Sequence, residues 1–319
     1  MNQRTSEASD SAASWTRYWQ SGFQDTCFFA DRAFAVDQLW QDLFSELDSS
    51  ARIVDLATGN GAVALKAATF ARDHNRAFAI SGVDYATIAP SGPTSTDAEL
   101  VASVEFVGDT DIANLPFHSS SVDCLTSQYG FEYARGDLAL AEAVRVLVTD
   151  GRALFLMHAE GGAVHEASAA RLRRAQSLLQ KGHLMMQLDD LAKALKSGSK
   201  SRVYKTQQRV EAKVAAAQRK HAEIPKDDLV WQISQESREI LAAIPQVAGA
   251  DIAARIAHIR AEVTAYVHRL HAMLKASRSA RAMDELCDKA QSLGCGTATY
   301  TPFMVDEQQV GWSFSARKS

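Results

Sequence analysis

Hydrophobic and polar positions divide the 319-residue chain into three regimes. From Ile53 to about His158, short apolar runs alternate with segments of helical period. Strands are predicted at Ile53-Val54-Asp55, Phe78 to Asp84, Val104 to Val107, Val122 to Ser127 and Ala153 to Met157, the last entered through Thr149-Asp150-Gly151. Strands separated by helices pair in parallel, so this regime predicts a Rossmann-like, doubly wound α/β sheet. From about Ala163 to Ser292 the β signal almost vanishes. There, Ile252, Ile256, Ile259, Val263, Tyr266, Leu270 and Met273 recur at alternating steps of four and three, the seam of a long packed helix. Ser197-Gly198-Ser199, Pro225 and Pro245 read as helix breaks. The β signal returns at Thr297 to Val305 and Val310 to Ala316, around Asp306-Glu307-Gln308. That pattern predicts an antiparallel hairpin bringing the sheet to seven strands. Trp15 to Leu47 reads as helical and is rich in aromatics. The expected organisation is a helical lid segment (1–47), a core (48–162), a large all-helical insertion after strand five (163–292) and a closing hairpin (293–319).

Composition narrows the function. A net charge of −4 gives no long-range attraction to nucleic acid or an anionic membrane. No apolar run approaches the ~20 residues that span a bilayer, and Met1 to Ser14 lacks the apolar stretch of a signal peptide. The four cysteines are scattered without a C-x-x-C pair, which argues against a zinc site or a disulfide framework. Reduced thiols in a cytoplasmic protein without a metal are expected. In the insertion, Arg171, Arg173, Arg174, Lys200 and Arg202 read as a solvated face. The insertion could enclose a bulky substrate, form a homodimer interface, bind a protein partner, or satisfy its seam within one chain.

The strongest chemical signal is Ile53-Val54-Asp55-Leu56-Ala57-Thr58-Gly59-Asn60-Gly61-Ala62, a strand that ends on an acid and breaks into a glycine turn before a small-residue helix. The glycines let backbone approach a ligand that a Cβ would repel. A dinucleotide-binding loop carries its acid about 20 residues after the glycines. Here the acid precedes them, which suits a ligand with a cationic amino-acid end, such as S-adenosylmethionine. Asp84 ends the second strand. Gly108 to Phe117 reads Gly-Asp-Thr-Asp-Ile-Ala-Asn-Leu-Pro-Phe, Ser121 to Tyr129 forms a strand-four segment, and Ala143 to Arg152 a helix and turn before strand five. In order and spacing these segments resemble the class I S-adenosylmethionine-dependent methyltransferases, over Ile53 to His158 and again from about Thr297 to Arg317. The resemblance implies cofactor contacts from Asp55, Ala57, Gly59, Asn60 and Gly61. It further implies Asp84 on the ribose with Tyr85 beside it, Asp111 on the adenine amino group, Ile112 on the ring, and Gln128. Two departures stand out. Ala57 replaces the first loop glycine although alanine resists positive φ, and Thr149-Asp150 replaces Pro-Gly before strand five.

Sites in doubly wound folds lie beyond the carboxyl ends of the strands. Tyr129, Glu132 and His158 follow strands four and five and are the catalytic candidates; the unperturbed pKa of a histidine lies near neutrality, which suits His158 to a general base. Trp15, Tyr18, Trp19, Phe23 and Tyr133 are candidates for a lid over an apolar or aromatic acceptor. The expected function is methyl transfer to O, N or C of a small molecule by in-line displacement. One alternative is a cofactor-binding scaffold whose helical arm recruits a partner. Another is a protein or RNA methyltransferase, disfavoured by Ser127-Gln128-Tyr129-Gly130 where an N-P-P-Y-type motif would stand and by the lack of a basic arm. A nicotinamide enzyme is disfavoured by Ala64, three residues after Gly61.

Overall fold

A computed structural model describes residues 12–20, 33–90, 97–220 and 223–319. Residues 12–20 are helical. The elements then run α1 (Ala33–Ser45), β1 (Arg52–Leu56), α2 (Ala62–Asp73), β2 (Ala79–Val83), α3 (Ala98–Ala102), β3 (Val104–Val107), β4 (Val122–Gln128), a 3₁₀ turn (Phe131–Tyr133), α4 (Gly136–Val146) and β5 (Leu147–Met157). Five helices follow: α5 (Ala163–Leu179), α6 (Leu184–Lys196), α7 (Lys200–Lys220), α8 (Leu229–Ala243) and α9 (Gly249–Ala276). The chain ends with α10 (Ala280–Ser292), β6 (Cys295–Val305) and β7 (Gln308–Lys318).

Among the described residues seven strands form one sheet in the order β3-β2-β1-β4-β5-β7-β6, parallel except at β7, which runs antiparallel to both neighbours. The predicted α/β class and closing hairpin are therefore what the chain forms. Asp306 and Glu307 both have positive φ, the two-residue turn whose twist matches that of antiparallel strands. Strand order reverses between β1 and β4, which opens a crevice at their carboxyl ends. β1 is buried beyond its first residue because helices cover both faces. Trp40 and Phe44 of α1 pack with Ala67 and Phe70 of α2 on one face. On the other, α4 contributes Leu140 and Ala143, and α10 contributes Met283, Cys287 and Ala290.

The chain divides into two compact units, residues 1–166 with 272–319, and residues 167–271. The expected insertion, 163–292, is thus longer than the separate helical unit, because α10 covers the sheet. An amphipathic helix shows an apolar stripe whether it faces a sheet or other helices, so sequence alone did not distinguish them. Within the helical unit, Ile252, Ile256, Ile259 and Val263 pack with Leu188, Leu191, Val210 and Ile240, so the first four positions of this seam are satisfied inside the chain. The three sequence breaks fall between α6 and α7, α7 and α8, and α8 and α9. Among the described residues no helix is long and apolar enough to cross a membrane.

Candidate active site

The loop after β1 turns through Ala57, Gly59 and Gly61, at φ of 52°, 55° and 92°. Ala57 therefore takes the left-handed conformation that its Cβ opposes, at about 1–2 kcal/mol. Space for that Cβ is left by Gly130, where an added Cβ would lie 2.5 Å from it. Asp55 sits behind the loop, 1% exposed. Its Oδ1 accepts from the Thr126 hydroxyl at 2.8 Å and its Oδ2 from the Thr58 hydroxyl at 2.6 Å. Burial pushes its carboxyl up to about 7, against the lowering effect of those hydrogen bonds. So enclosed a side chain holds the loop from behind, through Thr58. Asp84, at the tip of β2, accepts from the backbone N–H of Gly59 and of Ala86, both at 2.8 Å. Burial raises it to about 6. Each of its oxygens takes one of these bonds and has capacity for a second donor.

Asn60 joins the loop to two other segments. Its Nδ2 donates to the Trp19 carbonyl at 2.8 Å, and its Oδ1 accepts from the Ala89 N–H at 2.9 Å. The Trp19 indole lies against Gly59, where a Cβ would come within 2.4 Å of the ring. Trp15 stacks on Trp19 at 5.9 Å and meets Tyr133 edge-on at 5.7 Å, and Tyr18 meets Trp19 edge-on at 5.0 Å. The helix at 12–20 thus joins the glycine loop to the residues after β4, as a lid would. Phe23 lies outside the described residues. Tyr85 is exposed. Asp111 caps its own turn through the Ala113 N–H at 2.9 Å and gives its other oxygen to Arg135 at 2.8 Å. Ile112 lies in the core beneath that turn. Gln128 accepts from the Trp40 indole N–H at 2.8 Å.

On the opposite side of the crevice, Glu132 and His158 come together. Both are buried. Glu132 Oε1 lies 2.8 Å from the His158 backbone N, which donates to it, and 2.7 Å from ring Nδ1. Glu132 Oε2 is buried without a hydrogen-bond partner. Tyr129, at φ 54°, lays its ring 4.3 Å from the imidazole, and its hydroxyl donates to the Val310 carbonyl at 3.1 Å. Tyr133 meets the imidazole edge-on at 6.1 Å. From behind, the Arg278 N–H donates to the His158 carbonyl at 2.8 Å.

Sequence reasoning missed Thr58, Thr126, Gly130, Arg135 and Arg278 at this site. Only Thr126 left a signal: parallel alignment of β1 with β4 sets it directly opposite Asp55.

A sheet of this order, with an acid at the tip of β1, a glycine turn opening α2 and a second acid at the tip of β2, defines the class I S-adenosylmethionine-dependent methyltransferase fold. Residues 54–155 match the family described as methyltransferase domain. It is similar to the ubiquinone/menaquinone biosynthesis C-methyltransferase UbiE of Rickettsia felis, 31% identical over 129 residues, which cover 39% of this chain and 52% of that protein. The Rickettsia akari protein of the same name is 30% identical over 129 residues, with the same coverage. The chain thus spans about half the length of the curated relatives it matches. Among solved structures it is similar to geranyl diphosphate C-methyltransferase from Streptomyces coelicolor A3(2), at 13% identity and a TM-score of 0.36, covering 47% of this chain and 65% of that one.

Proposed function

We propose that the protein transfers the methyl group of S-adenosylmethionine to a small apolar or aromatic acceptor, with His158 as general base. The observation that carries this reading is the buried Glu132–His158 pair beside a glycine loop at the carboxyl ends of β1, β2, β4 and β5. The residues fit the cofactor: the glycine loop turns through Gly59 and Gly61 at the carboxyl end of β1, and Asp84 keeps acceptor capacity for ribose hydroxyls. When bound, the cofactor supplies a methyl made electrophilic by its sulfonium. The protein then has to align the acceptor and exclude water, and alignment alone can lower a barrier by ~7–11 kcal/mol. Trp15, Trp19 and Tyr133 provide an apolar cover suited to a flat acceptor.

Glu132 sets the imidazole tautomer. Its Oε1 accepts a hydrogen bond from Nδ1–H, the tautomer whose lone pair is on Nε2. Nε2 receives the proton that the acceptor loses as its bond to the methyl carbon forms. Relatives named as C-methyltransferases bring an electron-rich ring carbon within the acceptor range, beside oxygen and nitrogen.

Calorimetric titration with S-adenosylmethionine, S-adenosylhomocysteine and NAD tests the cofactor, and turnover with a panel of phenols and hydroquinones tests the acceptor. Binding of the first two ligands without NAD is expected. His158→Ala is expected to keep cofactor affinity and lower kcat by about 10²–10⁴-fold. Binding of NAD alone, or an unchanged kcat in His158→Ala, refutes the reading.

A further inference from the structure

The net charge of −4 conceals a separation between the two units. Residues 167–271 hold eighteen Lys and Arg against ten Asp and Glu, a balance of +8, while the rest of the chain holds sixteen against twenty-eight, −12. The excess is concentrated on α7, which carries Lys200, Arg202, Lys205, Arg209, Lys213, Arg219 and Lys220 against the single acid Glu211. At 3.6 residues per turn, Arg202, Lys205, Arg209, Lys213 and Lys220 fall in a sector of about 80° running about 27 Å along the helix. All five are exposed except Lys213, which is half-buried. Thr206, Val210 and Val214 occupy the adjoining sector and are buried, which fixes the stripe on the outer side.

Elsewhere in the unit five cations have acidic partners. Arg171 pairs with Asp227, Arg174 with Asp228, Lys193 with Asp190, Arg255 with Glu236 and Glu239, and Arg260 with Asp189. Among the described residues no ion pair involves any of the seven α7 cations. Holding so many unneutralised like charges on one helix face is unfavourable unless something else answers them.

We propose that α7 is a docking surface for an anionic lipid bilayer. The stripe runs along the ridge of a convex helix, and a ridge meets a plane along a line. The exposed residues beside it, Ser201, Ala212 and Ala216, are short, so the long Lys and Arg stems reach past them. A single-stranded nucleic acid would use aromatics on which bases stack, and the exposed ring of α7, Tyr204, is turned well away from the stripe by the helical period. With a screening length of about 8 Å, an approaching surface meets the nearest charges rather than the chain's sum. This reading stands apart from the proposed reaction and does not depend on it.

Co-sedimentation of the full chain with vesicles tests it, using phosphatidylcholine alone and phosphatidylcholine with phosphatidylserine in a two-to-one ratio. Binding is expected only with phosphatidylserine, and is expected to fall when salt is raised from about 0.1 M to about 1 M. Combining Arg202→Gln, Lys205→Gln, Arg209→Gln and Lys213→Gln is expected to weaken it by several hundred-fold, about fivefold per cation, with an unchanged circular dichroism spectrum and melting temperature. Equal binding to both vesicle types, or equal binding by the fourfold variant, overturns the proposal. So does binding to single-stranded RNA or duplex DNA without binding to vesicles, which would assign the stripe to nucleic acid. The wild-type salt and lipid comparisons decide the matter even if the variant fails to fold.

Discussion

Replacing Asp55 by Asn tests whether the loop is built around a carboxyl that burial keeps protonated. The free side chain titrates at 3.8, and in the folded protein burial pushes it up to about 7, with the neighbouring Asp84 charge adding to the rise. Between those values the native state holds a proton that the unfolded chain has released. Stability therefore falls as pH rises through this window and levels off above about 7. At 1.36 kcal/mol per pKa unit the full loss is about 4 kcal/mol, of which about 2–3 kcal/mol falls between pH 5 and pH 8. Asn has nearly the same shape and does not ionise. The Thr58 and Thr126 hydroxyls that bond Asp55 can each donate or accept, so they can reorient to an amide. Asp55→Asn is expected to gain about 2–3 kcal/mol on the wild type between pH 5 and pH 8, read from urea unfolding of both proteins across that range. A stability difference independent of pH, or one shrinking as pH rises, would show that Asp55 is ionised throughout and that the loop is not built this way.

Cofactor affinity should rise with pH toward neutrality, by up to about tenfold per pH unit below about 6 and little above, because the ionised Asp84 is the stronger acceptor for hydroxyls; calorimetric Kd values at several pH settings check this. Gly130→Ala should cost about 1–3 kcal/mol because its new Cβ meets that of Ala57. Adding Ala57→Gly should restore most of it, and a double-mutant cycle with no coupling would remove that contact as the cause. Glu132→Gln should leave cofactor Kd unchanged and lower kcat by at least about 10²-fold, with a changed pH–rate profile, because the amide no longer dictates the imidazole tautomer. Single-turnover kinetics separates that loss from slower product release.

The elements of the sheet were legible because their signals are local. Apolar runs ending at Asp55 and Asp84 and the glycines after β1 each need only a few neighbouring residues to be read. Ala57 shows the limit. Its departure from the family pattern looks damaging in sequence, yet the accommodation lies at Gly130, more than seventy positions away and with no local reason to be glycine. Asp111 shows it too, since its pairing with Arg135 depends on how two loops meet. Glu132 and His158 were separate base candidates in sequence, and only the fold makes them one hydrogen-bonded unit. The charge separation was readable in principle, but counting over the whole chain averaged it away.

The return of the chain to the sheet also bears on how the protein folds. β7 pairs with β5 from Arg152 opposite Arg317 to Met157 opposite Trp312, so an interior strand of the sheet follows the helical unit in sequence. On the way to it the chain brings Arg278 back beside His158 and Glu160, where it is held by backbone hydrogen bonds of 2.8 and 2.9 Å. For a flexible chain, closing the intervening stretch of more than a hundred residues costs about 4 kcal/mol of entropy. Helices that assemble first shorten the slack and cut that cost. The folding rate of the helical unit, rather than that of any strand, is therefore expected to set when His158 acquires its backing at Arg278.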